Sequence, residues 1–455
     1  MATDKFKVII VGGGLAGLVA GHCLAKAGID FVVLEGRAEG EQQTGTTVSV
    51  WQQTIRVFDQ LGLMDELYEL NSDIVYKANI LPDGSILSRN RLPALSGTLL
   101  GHTWTSIQRC DLIELLERRF PRKDRLLKGK KASEIEVRDT GVRVVCTDGS
   151  EFEGSIIMGA DGVNSKVRRL LSEKKPLNNG GMARKPKKGQ MKSDYACLVG
   201  AGVALPETPR DTFFETHGPN AQMQAAVNKG VQYFSIYGKL PKSTSERRTF
   251  TDADKADFLQ RFGDYHFFPG TTVTSMVARS DWTHMVLLEE GIADVWYDDR
   301  VVLVGDAVHK MTPNLGLGFN MAALDVVSVT NYLRWELLKA HGAEGPSTAA
   351  LSDNVFGPYQ KERYKNAFDT MDISGTALRV AAWYKPVAKV VDKYIMPVIN
   401  GDEILLKLMV VPMLLDGVVL DFVEEKGFKE GTRKWKRTRQ TAVNGARNEK
   451  NERSG

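Results

Sequence analysis

The chain has 455 residues, a length that allows two or three domains with sizeable cores. Its composition, with 42% apolar and 25% charged residues, is that of an ordinary globular protein and excludes a collagen-like or intrinsically disordered chain. The whole chain has a net charge of +4, and residues 426–455 alone carry +7. The remaining residues therefore sum to −3 and give no reason to expect nucleic acid as a partner.

The cysteine and histidine patterns exclude the common metal and disulfide classes. The four cysteines form no CxxC pair, and no HExxH or His/Cys cluster is present, so we predict no metal site and a reducing compartment. A strand-like run starts at Phe6 without a cleavage-site pattern, which is not typical of a secretory signal peptide. We therefore expect an intracellular protein, cytoplasmic or peripheral on a membrane surface, and not a secreted one.

The N-terminus reads strand, glycine-rich turn, helix and strand. Gly12, Gly14 and Gly17 form a GxGxxG directly after the run FKVIIV, and Glu35 ends the next apolar run. In such a unit the first glycine allows the tight turn, the second lets backbone approach a pyrophosphate, and the third lets the helix pack on the strand. The terminal carboxylate lies where a ribose hydroxyl would need an acceptor. This context predicts a bound dinucleotide.

Two further apolar runs end on an acidic residue and glycine. The run SIIMGA leads to Asp161-Gly162, and VVLV leads to Gly305-Asp306, followed by a loop with Pro313. Between these stretches the pattern changes to short strands broken by turn signals, and after about residue 345 it is helical.

We predict an α/β protein in which a Rossmann-like cofactor domain is interrupted by a β-sheet substrate domain, with a helical C-terminal part. The predicted parts are a discontinuous cofactor domain (1–72, 101–180 and 286–345), the β-sheet domain (73–100 and 181–285), the helical region (346–425) and a basic, disordered tail (426–455).

One apolar stretch raises the question of membrane contact. Residues 404–420 are strongly apolar but contain Lys407, Pro412 and Asp416, and they are shorter than the roughly 20 residues that span a bilayer. Two interpretations stay open: a core helix followed by a solvated tail, or peripheral contact with an anionic membrane surface through 404–439.

In order and spacing, the Asp161-Gly162 and Gly305-Asp306 motifs resemble those of flavoprotein monooxygenases related to para-hydroxybenzoate hydroxylase, the group A enzymes. The resemblance covers roughly residues 6–335. The stretches FDQLG (58–62) and LLEEGIADVWYDDRVVLVGDAVHKMTPNLG (287–316) resemble the paxilline-type fungal subfamily of FAD-dependent epoxidases. The chain departs from the family pattern at Leu317 and Phe319, where glutamine and a small residue are usual.

The resemblance implies an FAD site. Asp306 would contact the ribityl chain or the pyrophosphate, Pro313 would line the isoalloxazine ring, and the amides that open the following helix would face the flavin pyrimidine. For Arg109 the alternative is a surface arginine, and for Asp161 it is a helix cap. The candidate FAD-binding residues are Gly12, Gly14, Gly17, Glu35, Arg37, Val48, Arg109, Asp161, Gly162, Asp306, Pro313, Gly316, Gly318 and Asn320.

The implied reaction needs NADPH and O2 as co-substrates and uses a C4a-hydroperoxide of FAD to epoxidise a C=C bond of a terpenoid, meroterpenoid or prenylated indole. The chain has no second GxGxxG for a separate NAD(P)H domain. Hydroxylation or dearomatisation of a phenol is the alternative reaction, and a redox-neutral flavin-binding cyclase or scaffold is the alternative class. No catalytic side chain is assigned. Candidate pocket aromatics, each of which could instead be plain core, are Tyr195, Phe234, Tyr237 and Trp296.

Overall fold

The computed structural model describes residues 6–40, 46–72, 74–173, 191–206, 208–340 and 345–438. Its strands, in chain order, are β1 (Lys7–Val11), β2 (Asp30–Leu34), β3 (Thr47–Val50), β4 (Tyr76–Ile80), β5 (Ile86–Asn90), β6 (Thr105–Gln108), β7 (Leu126–Leu127), β8 (Ala132–Val137), β9 (Val142–Cys146), β10 (Glu151–Gly154), β11 (Ile156–Gly159), β12 (Lys192–Val203), β13 (Thr212–Gly218), β14 (Ala221–Asn228), β15 (Val231–Thr244), β16 (His266–Phe268), β17 (Thr271–Thr272), β18 (Trp282–Ile292), β19 (Tyr297–Asp298), β20 (Val301–Leu303) and β21 (His309–Lys310).

The helices, in chain order, are α1 (Leu15–Ala27), α2 (Gln52–Leu61), α3 (Met64–Glu69), α4 (Leu92–Leu100), α5 (Arg109–Arg118), α6 (Lys166–Glu173), α7 (Asp252–Phe262), α8 (Val273–Ala278), α9 (Gly318–Lys339), α10 (Thr348–Leu351), α11 (Gly357–Ala381), α12 (Pro386–Val390), α13 (Gly401–Leu405) and α14 (Val411–Leu414). Wider π-type turns continue α10, α12 and α13 at Ser352–Phe356, Val391–Ile395 and Leu406–Val410.

A largely parallel sheet forms the first layer, in the order β19-β20-β11-β1-β2-β7. Apart from the partly buried Lys7 and Asp30 at the starts of β1 and β2, its four central strands are apolar and buried, as expected where helices cover both faces of a parallel sheet. β1, β2, β11 and β20 run parallel, so their carboxyl ends meet at one edge. The predicted α/β class with a Rossmann-like unit is confirmed, and the predicted motifs all follow these four strand ends.

An eight-stranded sheet forms the second large layer, in the order β21-β18-β12-β15-β14-β13-β4-β5. One face packs on α7 and α8, and the other faces α11. Strand β18 pairs with β12 across the predicted boundary at 285/286, and the segment predicted as strands at 73–100 ends in helix α4. The predicted boundary at 180/181 lies outside the described residues.

The C-terminal region is helical only as far as Leu414, and the residues after it pack on the body of the molecule. Arg56 is almost fully buried and donates to Glu425 (2.6 Å from Nε) and to the Arg437 carbonyl oxygen (2.9 Å). The Trp435 ring lies 4.4 Å from the Arg56 guanidinium carbon. The prediction of a disordered tail from residue 426 is therefore wrong for 426–438, because a buried arginine needs this segment as its partner; residues 439–455 lie outside the described part.

We expect Glu425→Gln to destabilise the fold by about 2 kcal/mol, because it leaves the buried Arg56 guanidinium without its carboxylate. The measurement is the free energy of unfolding in urea. Glu151→Gln is the matched control, since Glu151 pairs with Arg143 (3.0 Å to Nε) at the exposed edge of β10, where an ion pair contributes little. Equal losses for the two variants would contradict a stabilising role for the Arg56–Glu425 pair.

Candidate functional site

The three glycines of the turn after β1 differ in the space around them: two have no room for a side chain, and one faces open space. Gly12 has φ +107°, and a Cβ there would lie 2.5 Å from the Ala160 carbonyl oxygen. A Cβ at Gly17 would lie 1.9 Å from the Gly12 carbonyl oxygen. A Cβ at Gly14 would meet no atom within 4 Å. Two glycines thus allow close packing, while Gly14 borders open space at the start of α1, where a phosphate would be favoured by the helix amides.

Glu35 follows β2 and is held beside this turn. One carboxylate oxygen accepts from the Gly13 amide at 2.7 Å, and the other accepts from the amide and Nε of Arg37, both at 2.9 Å. Burial would raise the pKa of Glu35, but the hydrogen bonds from Arg37 and Gly13 outweigh it and lower the pKa. Glu35 is therefore charged and can accept from a sugar hydroxyl, and Arg37 holds it there.

Arg109 begins α5 next to the small β3–β6 sheet. Val48 pairs with Ile107 in that sheet, and the Arg109 amide donates to the Thr46 carbonyl oxygen at 3.0 Å. Burial and the nearby Arg37 lower the pKa of Arg109, while Asp306 opposes that shift. Two guanidinium groups and two carboxylates from distant parts of the chain thus lie near one another, a set suited to a pyrophosphate with its ribose and ribityl hydroxyls.

Asp161 caps the helix that follows it. One carboxylate oxygen accepts from the amides of Lys166 (2.7 Å) and Val167 (3.2 Å) at the start of α6. Gly162 supplies the turn with φ +77°. Arg168 donates to the Ala307 carbonyl oxygen at 2.7 Å and so joins the Asp161-Gly162 turn to the loop after β20.

Asp306 lies on that loop with a partly exposed carboxylate that accepts from Lys310. The preceding Gly305 has φ +60°, and a Cβ there would lie 2.7 Å from the Ala322 Cβ. Further along, Pro313 is exposed, and a Cβ at Gly318, the first residue of α9, would meet no atom within 4 Å. The loop thus presents the Asp306 carboxylate, the Pro313 ring and the uncovered N-terminus of α9 to open space.

Gly316 and Asn320 hold this loop against the backbone of Ser49 and Trp51. Gly316 has φ +63°, with the Ser49 Cβ 2.5 Å from where its own Cβ would be. The buried Asn320 side chain accepts from the Trp51 amide (2.8 Å) and donates to the carbonyl oxygens of Ser49 (2.9 Å) and Gly316 (2.7 Å). Asn320 therefore positions the loop through its side chain and does not present that side chain to a ligand. Leu317, at the family's usual glutamine position, is fully buried.

Sequence reasoning missed a buried ion cluster behind the same loop. Asp325 on α9 is fully buried and accepts from the Gly305 amide (3.0 Å), His309 Nε2 (2.6 Å) and Arg363 Nε (3.0 Å). Burial would raise the pKa of Asp325, but His309 and Arg363 outweigh it and lower the pKa. No local spacing signals this cluster, because its members come from the turn after β20, from β21 and from two different helices.

The predicted pocket aromatics do not share one surface. Tyr195 and Tyr237 lie on the face of the large sheet that is covered by α11, whereas Phe234 lies on the opposite face against α7 and α8. Trp296 is fully buried in the core of the parallel-sheet layer and donates to the Ala293 carbonyl oxygen at 2.9 Å. Phe234 and Trp296 therefore do not share a surface with Tyr195 and Tyr237, and the assignment of these four aromatic residues to a substrate pocket stays a prediction.

The sheet face that carries Tyr237 is polar and reaches the loop with Pro313. Gln224 donates to the Asn314 carbonyl oxygen (2.7 Å) and to Glu215 (3.2 Å), and it accepts from the Tyr237 hydroxyl (2.8 Å). Tyr195 on the same face has a hydroxyl without a partner in the described part, and burial raises its pKa to about 12. This face therefore connects the sheet to the residues beside the loop.

The same polar face ends in two buried ion clusters. Lys77 lies 2.7 Å from Glu215 and 3.3 Å from Asp402. His217 Nδ1 lies 2.9 Å from Asp392. Burial would lower the pKa of His217, but Asp392 and Glu215 outweigh it and raise the pKa to about 10. Both cations are therefore charged at neutral pH and each is held by carboxylates.

The buried His217–Asp392 pair predicts that the stability of the protein depends on pH. In the folded protein His217 holds a proton that the unfolded chain releases above its ordinary pKa of 6.5, so this stabilisation is fully present below pH 6.5 and is lost as pH rises to about 10. We expect His217→Gln to be less stable than the wild type below pH 6.5 and the difference to shrink towards pH 10. Thermal unfolding over this range measures it, with the exposed His284→Gln as control. A difference that does not change with pH would contradict it.

Substitutions at Gly14 and at Gly17 should have separable effects. Gly14→Ala adds a methyl group to open space at an ordinary φ of −75°, so the apoprotein should keep its stability while FAD binds at least about tenfold more weakly, roughly 1.4 kcal/mol. Gly17→Ala should instead destabilise the apoprotein, because its methyl group collides with backbone. Flavin fluorescence titration and thermal unfolding measure the two effects. Unchanged FAD affinity in Gly14→Ala would mean that the pyrophosphate does not approach here.

These observations fit FAD. Gly14 and Gly318 each border open space, the carboxylates of Glu35 and Asp306 follow two of the same strand ends, and Arg109 adds positive charge near both carboxylates. The groups come from the ends of β1, β2 and β20 and from the start of α5, the edge at which such sheets bind dinucleotides. Sequence spacing alone does not reveal that these residues lie at one edge of the sheet, since residues 14 and 318 are far apart in the chain.

The chain is similar to proteins with known cofactor chemistry. The family model described as the FAD binding domain matches residues 5–354. The FAD-dependent monooxygenase ausM of Penicillium brasilianum is 34% identical over 398 residues, which cover 87% of this chain and 83% of that protein. The FAD-dependent monooxygenase atmM of Aspergillus flavus is 29% identical over 404 residues, 87% and 82% of the two chains. The structure of Klebsiella pneumoniae HpxO complexed with FAD and uric acid shares the fold, with a TM-score of 0.71 at 21% identity over 91% of this chain and 97% of that one.

Proposed function

The chain belongs to the FAD binding domain family, and we propose that it is an NADPH- and O2-dependent flavin monooxygenase that epoxidises a C=C bond of a terpenoid, a meroterpenoid or a prenylated indole. The convergence of Gly14, Glu35, Arg109 and Asp306 on one edge of the parallel sheet is the observation that carries the cofactor part of this proposal. The similarity to named fungal FAD-dependent monooxygenases supports the oxygenase part.

The proposed roles of the residues follow from their positions. Gly14 and the start of α1 would receive the pyrophosphate, with Arg109 adding positive charge, and Glu35 and Asp306 would accept from hydroxyl groups of FAD. The bare start of α9 at Gly318 would face the ring system and stabilise negative charge on it. Bound FAD would supply the redox chemistry, taking electrons from NADPH and using them to activate O2.

Water exclusion and positioning are what the protein itself would contribute. The loop from Gly305 to Gly318 is held at its start by Asp325 and near its end by Asn320 and Gln224, so Pro313 is presented from a fixed support. A fixed support suits a reaction in which the oxidised carbon must be held in one place.

The charged groups of the polar sheet face favour an alkene over a phenolate. Among the described residues, Lys77 of that face pairs with Glu215 and Asp402, and His217 pairs with Asp392. Arg379 of α11, which covers the face beside Tyr195, is likewise held by Asp194 and Glu290. A phenolate would need a cation that is free to bind it, and these cations are already held by carboxylates. An alkene makes no such demand, so this face supports the epoxidase proposal more than the alternative of phenol hydroxylation.

The test uses the FAD-loaded chain with isotopically labelled O2 and a panel of prenylated indoles, terpenoid quinols and simple phenols, with NADPH and NADH compared as electron donors. We expect accelerated NADPH oxidation and one labelled oxygen atom in a prenyl or indole product, read by mass spectrometry. Gly14→Ala at limiting FAD should lose activity that excess FAD restores.

Other outcomes assign other functions. Label that enters only the phenols would identify an aromatic hydroxylase. A product formed without label and without NADPH consumption would identify a redox-neutral cyclase. If no compound accelerates NADPH or NADH oxidation, the monooxygenase proposal fails while FAD binding still stands.

A further inference from the structure

Residues 384–409, here named the apolar cap, expose an unusual concentration of large apolar side chains. Nineteen such side chains are exposed in the described part of the chain, and eleven of them lie in these 26 residues. The most exposed are Val398 (80%) and Leu408 (71%). The cap members are Tyr384, Val387, Val390, Tyr394, Ile395, Val398, Ile399, Ile404, Leu405, Leu408 and Met409. Such clustering marks an interaction surface, because scattered exposed apolar residues would need no explanation.

The cap also exposes positive charge among these apolar groups. The amino groups of Lys385, Lys389 and Lys393 lie 5.2–5.5 Å from the ring centroids of Tyr384, Trp383 and Tyr394 respectively. Long lysine side chains beside aromatic rings are typical of the boundary between an apolar phase and water. The fourth lysine of the cap, Lys407, lies 3.2 Å from Glu403.

Two of the three acidic residues in the cap face the protein. Asp392 accepts from His217 (2.9 Å) and from Trp383 Nε1 (2.7 Å). Asp402 accepts from Asn79 (2.8 Å) and Asn90 (3.0 Å) and pairs with Lys77. These contacts anchor the cap to the polar face of the large sheet, so its outer face is left apolar and positive.

We propose that the apolar cap docks the protein onto the surface of a bilayer that contains anionic phospholipid. The apolar side chains would enter the boundary between headgroups and acyl chains, and the lysines would contact the phosphates. The contact is peripheral, since no helix among the described residues has the length and apolar character to cross a membrane. It differs from contact through 404–439, because residues 421–438 pack on Arg56 and its neighbours.

The position of the cap relates this surface to the loop 305–318, here named the cofactor loop. The sheet face that anchors Asp402 through Lys77 and Glu215 also contacts the Asn314 carbonyl oxygen through Gln224. A lipophilic substrate held in the bilayer would therefore be presented on the side of the sheet where Pro313 lies. Only this consequence rests on the proposed function; the docking itself does not.

The test measures how the full FAD-loaded chain partitions onto sedimented vesicles of phosphatidylcholine, with and without phosphatidylserine. We expect binding to the anionic vesicles that weakens with salt, and weaker binding to the neutral ones. Val398→Glu with Leu408→Glu should reduce binding at least about tenfold, because charged groups do not enter the interface. Both side chains are exposed, so the fold, checked by FAD absorbance and thermal unfolding, should not change.

Val203→Glu with Val295→Glu is the matched control, since these two valines are exposed outside the cap (77% and 53%) and should leave vesicle binding unchanged. The proposal is overturned if the wild type binds neither kind of vesicle, or if the cap variant binds as well as the control. It is also overturned if the wild type is a dimer without vesicle affinity that the cap variant dissociates, because a second copy then covers the cap. Vesicle binding does not depend on turnover, so the docking proposal can still be tested if the monooxygenase assay shows no activity.

Discussion

The fully buried carboxylate of Asp325 is the constraint on which the site depends. It accepts from the Gly305 amide, from His309 and from Arg363, and so joins the end of β20, α9 and α11 at one point. Removing one partner from such a cluster strands a buried charge, which costs several kcal/mol, so the three elements keep their relative positions. Gly305 can turn with φ +60° because it has no Cβ, and its amide donates to this fixed acceptor. Asp306, the next residue, takes its position from that turn.

The cofactor loop connects the two large sheets, because it leaves the parallel sheet after β20 and joins the eight-stranded sheet through β21. Asn320 joins its end to the backbone of Ser49 and Trp51, and Gln224 on the large sheet supports its middle at Asn314. The loop itself contributes β21 to the large sheet through pairing with β18. A residue that lines a substrate on the large sheet is therefore positioned relative to Pro313 by hydrogen bonds and not by packing alone, which is the kind of support that a reacting centre needs.

Sequence reasoning succeeded where local rules determine the structure and failed where distant partners do. Glycines at strand ends, and the carboxylates that follow them, are dictated by backbone angles and close approach within a few residues, so the places of Gly12, Gly17 and Glu35 could be predicted from the amino-acid pattern. Period-two alternation in β15 already separates Phe234 from Tyr237, which are three residues apart and lie on opposite faces, so the sequence alone shows that the two cannot line one surface of the sheet. No such rule links Lys77 to Asp402, or Arg56 to the segment after residue 420, because pairing between distant residues leaves no local pattern.

The polar face of the large sheet also explains how an apolar surface can persist on the outside of the molecule. If that face were apolar, the helices over it would turn their own apolar sides inward, since the burial of apolar surface is the main driving force for packing. Lys77 and His217 reverse this preference, because they require buried carboxylates, and Asp392 and Asp402 supply them from the cap. Satisfying these charges fixes the acidic side of the cap against the sheet and leaves its apolar side outward. The carboxylates that pair with the two cations of the sheet thus also determine which face the cap presents to its surroundings.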